Sequence, residues 1–389
     1  MLPAGISFGF TSVTLPYLLT QNGFSVAFIA GIVAIGASAS LWRFLWGPIT
    51  DLTLSLRRWF GMGMLACTTS LLLLSFTPFT TQGATLLTVI VFISQIAANF
   101  LLVPIGGIMA NRIKEEKKGR AGGWYQAGNL GGVGLGGGVG LWLSTHYSIT
   151  LAGLFLCTIS ILSSLVILTI KDVHHGKQNS IKSEFLIIGM DILAMIKVPL
   201  VLFIIIMLCM PIGTGAASNL WSAIASDWKT NADTVALVTG ILSGIVGTIG
   251  CVAGGFIADR WGVWVSYLGA GVLCALVTLV MALFPLQPYV YVSGVLAYAL
   301  GLGFMNAAFT FVVLFAIGNK NASTKYALLS SLGNIPVVYM TAFDGWMHDR
   351  YNSQWMLFME AALCLLFVFV CIAILTKMKS RKMLLQRAE

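Results

Sequence analysis

The chain has 389 residues, 58% of them hydrophobic and 9% charged, and a formal net charge of +9; its mean hydropathy is +0.92. A water-soluble globular chain carries about 25% charged residues, so this one has too few polar groups to cover a surface facing water and is expected to be an integral membrane protein. The basic balance does not point to a nucleic-acid partner, because the charges fall in the connections between apolar segments.

A helix crossing the roughly 30 Å hydrocarbon core needs about 20 mostly apolar residues, with its backbone hydrogen bonds satisfied inside the segment. Twelve windows meet that requirement in chain order: 4–20, 26–48, 59–78, 84–110, 121–145, 148–170, 198–224, 234–258, 263–284, 288–318, 325–347 and 353–376. Turn-forming runs such as Gln21-Asn22-Gly23 and Pro285-Leu286-Gln287-Pro288 separate them. None has the alternating pattern of about 10 residues that a transmembrane barrel strand shows.

Lys and Arg accumulate in cytoplasmic loops. Of the 22 here, 19 follow even-numbered windows or sit in the C-terminal tail; only Lys229 and Arg350 follow odd-numbered ones, and Arg43 lies inside the second. An even number of spans with both termini cytoplasmic is therefore predicted. The first window opens within a few residues and has no basic leader, so it is expected to be retained. All seven cysteines fall inside windows and are expected to be reduced packing residues.

The longest polar connection divides the chain into an N-terminal six-helix bundle (1–170), a cytoplasmic linker (171–197), a C-terminal six-helix bundle (198–376) and a basic cytoplasmic tail (377–389). Within the linker, 181–197 mixes charged and apolar residues as either an interfacial amphipathic helix or a plain tether would. Each half repeats one element after its second window. The first copy is Gly47-Pro48-Ile49-Thr50-Asp51 followed by Arg57-Arg58, and the second runs Gly255-Phe256-Ile257-Ala258-Asp259-Arg260. In both the glycine permits close helix approach and the aspartate ends a helix where it can cap a neighbour or pair with a base. Gly47, Asp51, Arg57, Gly255, Asp259 and Arg260 are thus candidate gate residues.

The span count, the even split and the paired motif together resemble the major facilitator superfamily, which implies an all-α fold of twelve transmembrane helices in two bundles that rock about a midplane site. The run Leu41-Trp42-Arg43-Phe44-Leu45-Trp46-Gly47-Pro48-Ile49-Thr50-Asp51 is similar to the second-span motif of AmpG-like muropeptide permeases and their acetyl-coenzyme A transporter relatives, and residues 118–129, 301–308 and 324–332 share that likeness. Many of those relatives carry an acidic residue in span 4 and a Lys and an Asp in span 7; here the matching positions hold Gly106, Pro211 and Thr214.

The resemblance implies a cavity lined mainly by spans 1, 4, 7 and 10. Those spans contain only neutral polar groups, notably Thr11, Thr14, Tyr17, Gln95, Asn99, Asn219, Trp221, Tyr298 and Asn306, with Arg43, Gln126, Asn129 and Asn334 as candidate contributors from other spans. Such a lining suits neutral, zwitterionic or large amphiphilic solutes and argues against free phosphates or dicarboxylates; helix packing is the alternative role for each residue.

Ionisable residues at bilayer depth need a reason, and three qualify. Arg43 is read as a gate or substrate contact, or as a snorkelling structural residue. Asp344, close to Asp349 and Arg350, is read first as a solvated cap, and Glu360 first as a neutral, inert carboxyl; both are also candidate proton sites. Gly132-x-Gly134-x-x-Gly137 lacks the strand that a dinucleotide loop requires. The four histidines have no metal-ligand spacing, and no nucleophile, base and orienting partner cluster. No enzyme activity, metal or cofactor is expected.

The sequence therefore predicts a monomeric secondary active transporter of the bacterial inner membrane that moves a muropeptide-like or other amphiphilic metabolite, with protons as the candidate coupling ion. A siderophore or drug-like metabolite permease and a non-transporting receptor or scaffold are the alternatives.

Overall fold

The structure, a computed structural model, describes residues 1–52, 54–80, 83–112, 125, 128–169, 183, 186, 189, 190, 193, 196–317 and 322–386. Every regular element among them is helical. In the N-terminal half these are α1 (Leu2–Gln21), α2 (Val26–Ser38), α3 (Arg43–Leu52), α4 (Leu56–Phe76), α5 (Ala84–Arg112), α6 (128–146) and α7 (Ile149–Ser164). The C-terminal half holds α8 (Pro199–Leu208), α9 (Trp221–Ile224), α10 (232–261), α11 (Val263–Leu283), α12 (Pro288–Ile317), α13 (Ala322–Leu332), α14 (Ile335–Arg350) and α15 (Ser353–Gln386).

Short polar residues set where several helices begin. The side chains of Ser25, Ser55, Ser148 and Asn231 each accept a hydrogen bond from the backbone N–H three residues on, satisfying a donor that the first turn leaves open. Nine helical segments among the described residues are long and apolar enough to cross a membrane. The windows 121–145, 198–224 and 325–347 are not among them. The first begins outside the described residues. The second breaks after α8, where Gly213 and Gly215 take positive φ of 56° and 78°, and the third breaks between α13 and α14. The interfacial helix expected in the linker lies largely outside the described residues; Leu186, Met190, Leu193 and Ile196 are exposed helical positions.

The helices run between two ends. At one, called the turn end, the connections are short: 22–25, 77–83, 147–148, 229–231, 284–287 and 351–352. The opposite, linker end carries the connections after α3, α5, α7 and α12. Hydrophobic packing joins the halves at the turn end, where Val13, Val26, Ala30 and Leu141 share a buried cluster with Trp221, Trp228, Tyr291 and Met347. Two close backbone approaches reinforce that seal. A Cβ added to Gly240 of α10 would stand 2.4 Å from Cα of Gly138 in α6, and one added to Gly345 of α14 would stand 2.2 Å from Cβ of Ala30 in α2.

Candidate functional site

Between the halves lies a cavity of about 790 Å³, lined from α1, the turn between α2 and α3, α3, α5, α6, α10, α11, α12, α13, α14 and the stretch from the end of α8 to the start of α9. On α1 it touches Met1, Ala4, Phe8, Ser12 and Val13, and on α12 it runs from Val295 to Thr310. It therefore occupies the middle and the linker-end half of the molecule and stops below the turn-end seal. Phe8 and Asn306 are cavity-lining yet exposed.

Most of the candidate residues converge on this wall. Arg43, Gln95, Asn99, Asn129, Asn219, Trp221, Tyr298, Asn306 and Asn334 line it, while Gln126 lies outside the described residues. Thr11, Thr14 and Tyr17 do not line it, and the reason is local. A π-helical turn over Phe10–Thr14 adds a residue to the turn and rotates the rest of the helix. The Thr14 hydroxyl instead donates to the Gly136 carbonyl at 2.8 Å, and Tyr17 packs against the turn-end cluster. Thr11 stands one layer behind the wall, accepting from Gln95 Nε2 at 3.0 Å.

On the N-terminal side a polar chain runs along the wall. Arg43 Nε donates to Asn99 Oδ1 at 2.9 Å, Asn99 Nδ2 donates to the Gln95 carbonyl at 3.0 Å, and Gln95 reaches Thr11. Arg43 is the one charged side chain among the described lining residues, so the wall is not as uncharged as spans 1, 4, 7 and 10 alone imply. A guanidinium held by its Nε keeps a fixed plane that a lysine ammonium cannot reproduce. Ser12, Thr214, Thr239, Ser243 and Tyr125 are among the further polar residues of the lining. Ser12, Thr239 and Ser243 carry no charge and no motif, so the sequence offers no signal that singles them out, whereas Tyr125 falls in the 118–129 stretch.

The C-terminal wall is aromatic and backed by carboxyls. The Trp221 and Tyr298 rings meet edge to face at 5.5 Å, and Asn219 Nδ2 donates to Thr341 Oγ1 at 3.0 Å. Behind them Tyr298 donates its hydroxyl to Glu360 Oε1 at 2.7 Å. Asp344, one turn beyond Thr341, is fully buried. That corrects the solvated cap expected from its charged neighbours: Asp344 is enclosed within the protein, whereas Asp349, five residues further along α14, reaches the surface.

Asp349 supplies the cap instead, and across the halves. Its two carboxylate oxygens accept the Val26 and Ala27 amides at 3.0 Å each, placing a negative charge on the N-terminus of α2. His348, which has no role legible in the sequence, bridges Asp227 (2.8 Å) and Asp349 (3.4 Å), and Ser353 donates to Asp227 as well. Burial alone pulls the imidazole down, but the two carboxylates outweigh it and hold His348 above its ordinary value. Burial likewise opposes ionisation of Asp227, yet His348 and Ser353 leave its carboxyl below the usual range. A second cross-half pair, His146 with Asp233 at 3.7 Å, is more exposed.

At the linker end the side chains of Gly47, Asp51 and Asp259 lie outside the described residues. Arg57 sits in the first turn of α4 and Arg260 is exposed at the end of α10. The close approach expected at Gly255 belongs to its neighbours. A Cβ on Gly255 would meet nothing within 4 Å, whereas one on Gly254 would be 2.8 Å from Phe304 Cα and one on Gly250 would be 2.3 Å from the Leu300 carbonyl. Positions 250 and 254 share a helix face, and 255 is turned about 100° away from 254.

The described residues form an all-helical, multi-pass membrane fold with a solvent-reached cavity between two halves, the arrangement of a membrane transporter. The family model described as Major Facilitator Superfamily matches residues 1–341, and the chain belongs to that superfamily. Among solved structures, the nucleoside transporter NupG aligns with a TM-score of 0.75 at 14% identity, covering 96% of this chain and 96% of that one. A D-xylose-proton symporter aligns with a TM-score of 0.71 at 13% identity, covering 94% of this chain and 95% of that one. No curated protein sequence matches significantly.

Proposed function

We propose that the chain is a secondary active transporter that moves an organic solute with hydrogen-bonding groups and apolar faces, muropeptide-like or otherwise amphiphilic, across the bacterial inner membrane by alternating access. The observation that carries this reading is the cavity between the halves, with Arg43, Gln95 and Asn99 on one wall and Asn219, Trp221 and Tyr298 on the other. Its volume falls within the roughly 300–1,000 Å³ typical of small-molecule sites, and a neutral lining with one guanidinium favours a solute of low net charge.

The sequence supports twelve crossings, the broken segments around α8–α9 and α13–α14 included, with two six-helix bundles, both termini cytoplasmic and the linker end facing the cytoplasm. The conformation is then inward-facing: the turn-end seal closes the outer side and the cavity extends inward. The Gly47–Asp51 and Gly255–Arg260 motifs would latch the inner side in the opposite state. A single chain contains the whole cavity, which supports a monomeric unit.

The test is uptake by proteoliposomes of a panel of labelled cell-wall fragments, siderophores and nucleosides, with Arg43→Gln and Asn99→Ala alongside. Saturable uptake of one class that both substitutions weaken by tenfold or more supports the reading. Uptake by neither protein, together with no thermal stabilisation by any member of the panel, would point to the receptor or scaffold alternative.

A further inference from the structure

Two carboxyls stand at one depth in the C-terminal half. Asp344 lies six residues before the end of α14 and Glu360 seven after the start of α15, about 10 Å from the turn end at 1.5 Å per residue. Asp344 is 0% and Glu360 6% exposed. Both oxygens of Asp344 and Oε2 of Glu360 have no hydrogen-bond partner. What faces the pair among the described residues is neutral or acidic: Tyr298 of α12, Cys274 of α11 and Cys364 of α15, the Ala217 amide, and each carboxyl the other. Unpaired carboxylates in such a wall are costly, and a positive charge between them removes both the repulsion and one buried charge.

We infer that Asp344 and Glu360 form the coupling-proton site of the transport cycle, read from the solute cavity through Tyr298. The inference rests on the alternating-access reading above. The proton is the cation that fits, because the void beside Glu360, about 10 Å³, has room for about one water-sized sphere. Besides Glu360 its lining offers only the hydroxyls of Thr214 and Thr278 as side-chain oxygens, too few for the oxygen shell of a hard metal cation.

Access from the two sides is separate. On the turn-end side, the residue next to Asp344, Gly345, packs against Ala30 and the Val26 carbonyl of α2, and parting α2 from α14 is the step that would open that side outward. Glu360 instead borders the inward cavity, because Gly213 and Thr214 line both the void and the main cavity and Tyr298 joins it to the solute wall. Ionised, Glu360 takes the Tyr298 hydroxyl hydrogen and leaves that oxygen to the cavity as an acceptor. With a proton on Glu360, the carboxyl donates to Tyr298 and frees its hydroxyl to donate to a solute. Loading the pair thereby changes what the cavity can bind.

Protons alone serve as the probe. Spin labels on Gln21 and Tyr351 report turn-end separation without solute, in a background with His146 and His348 both replaced by Gln so that no histidine remains at the turn end. The ratio of closed to open forms should change from acidic to alkaline pH. Asp344→Asn combined with Glu360→Gln should abolish the change, and Tyr298→Phe should displace its midpoint. Difference infrared spectroscopy should show a protonated-carboxyl band that titrates in the parent, shifts in Tyr298→Phe and vanishes in the double variant; should the double variant misfold, the Tyr298→Phe shift carries the test. A pH response that survives the double substitution, a band that does not titrate or does not respond to Tyr298→Phe, or an equal response to Na⁺ at fixed pH overturns the inference. A separation that never varies instead removes the alternating-access reading, and the infrared arm still decides the acid pair.

Discussion

Gly240→Ala is the sharpest perturbation of the turn-end seal. The added methyl would stand 2.4 Å from Cα and 2.5 Å from N of Gly138, backbone atoms that no rotamer change can move. Restoring an ordinary contact near 3.5 Å needs α6 and α10 to part by about 1 Å. Overpacking of this kind costs about 1–3 kcal/mol, and because the contact joins the two halves, that cost falls on the closed-turn-end state alone. A two-state equilibrium then moves about 5- to 150-fold toward the open form. Spin-label distances between Gln21 and Tyr351 should gain a longer population. Gly136→Ala is the control: its methyl would stand 2.1 Å from the Ile6 carbonyl, within the N-terminal half, and should lower the melting temperature without shifting the distance. If Gly240→Ala lowers the melting temperature as Gly136→Ala does and leaves the distance distribution at the wild-type position, the α6–α10 contact is not one that breaks, and the reasoning fails.

Three further outcomes are expected. Asp349→Ala removes the cap from two amides of α2 and should cost about 0.5–2 kcal/mol, read as a lower melting temperature with a longer Gln21–Tyr351 distance; a lower melting temperature with an unchanged distance would reduce it to an ordinary cap. His348 is held above its ordinary value of 6.5 by Asp227 and Asp349, so its contribution is full below pH 6.5 and disappears as pH rises through the raised value. The melting-temperature gap between wild type and His348→Gln should therefore be widest in mild acid and close at alkaline pH, and a gap that widens with pH would reverse the assignment. Tyr291→Phe deletes a buried hydroxyl that donates to the Trp221 carbonyl at 2.9 Å and meets Thr239 at 2.8 Å. Leaving those groups unpaired should cost about 1–3 kcal/mol, measured by denaturation in detergent.

Much of the architecture is legible in the linear chain because the bilayer acts on composition. A helix in lipid must be apolar over about 20 residues, so α4, α11 and α15 stand out before any packing is considered. The broken segments are less legible: α8 ends at Leu208 although the apolar pattern continues, because positive-φ glycines at 213 and 215 turn the chain. The candidate site divides the same way. Gln95, Asn99, Asn219 and Tyr298 are legible because polar residues are rare in apolar spans, but Thr11 and Thr14 fall in the wrong place because periodicity does not reveal a π turn. Asp344 reads as a surface residue only because its charged neighbours lie a turn away.

By itself the sequence determined that this is a multi-pass membrane protein, which segments are apolar, that most basic residues fall in the connections between them, and that Arg43, Asp344 and Glu360 fall inside apolar segments. Those properties come from transfer between water and lipid, which acts on each segment independently. Tertiary structure decided which polar groups share a wall, that Asp349 rather than Asp344 caps α2, that His348 joins Asp227 to Asp349, and that Gly254 rather than Gly255 meets α12. Each of these depends on the rotation of one helix against another, where a single residue turns a side chain by about 100°, and no count along the chain contains that angle.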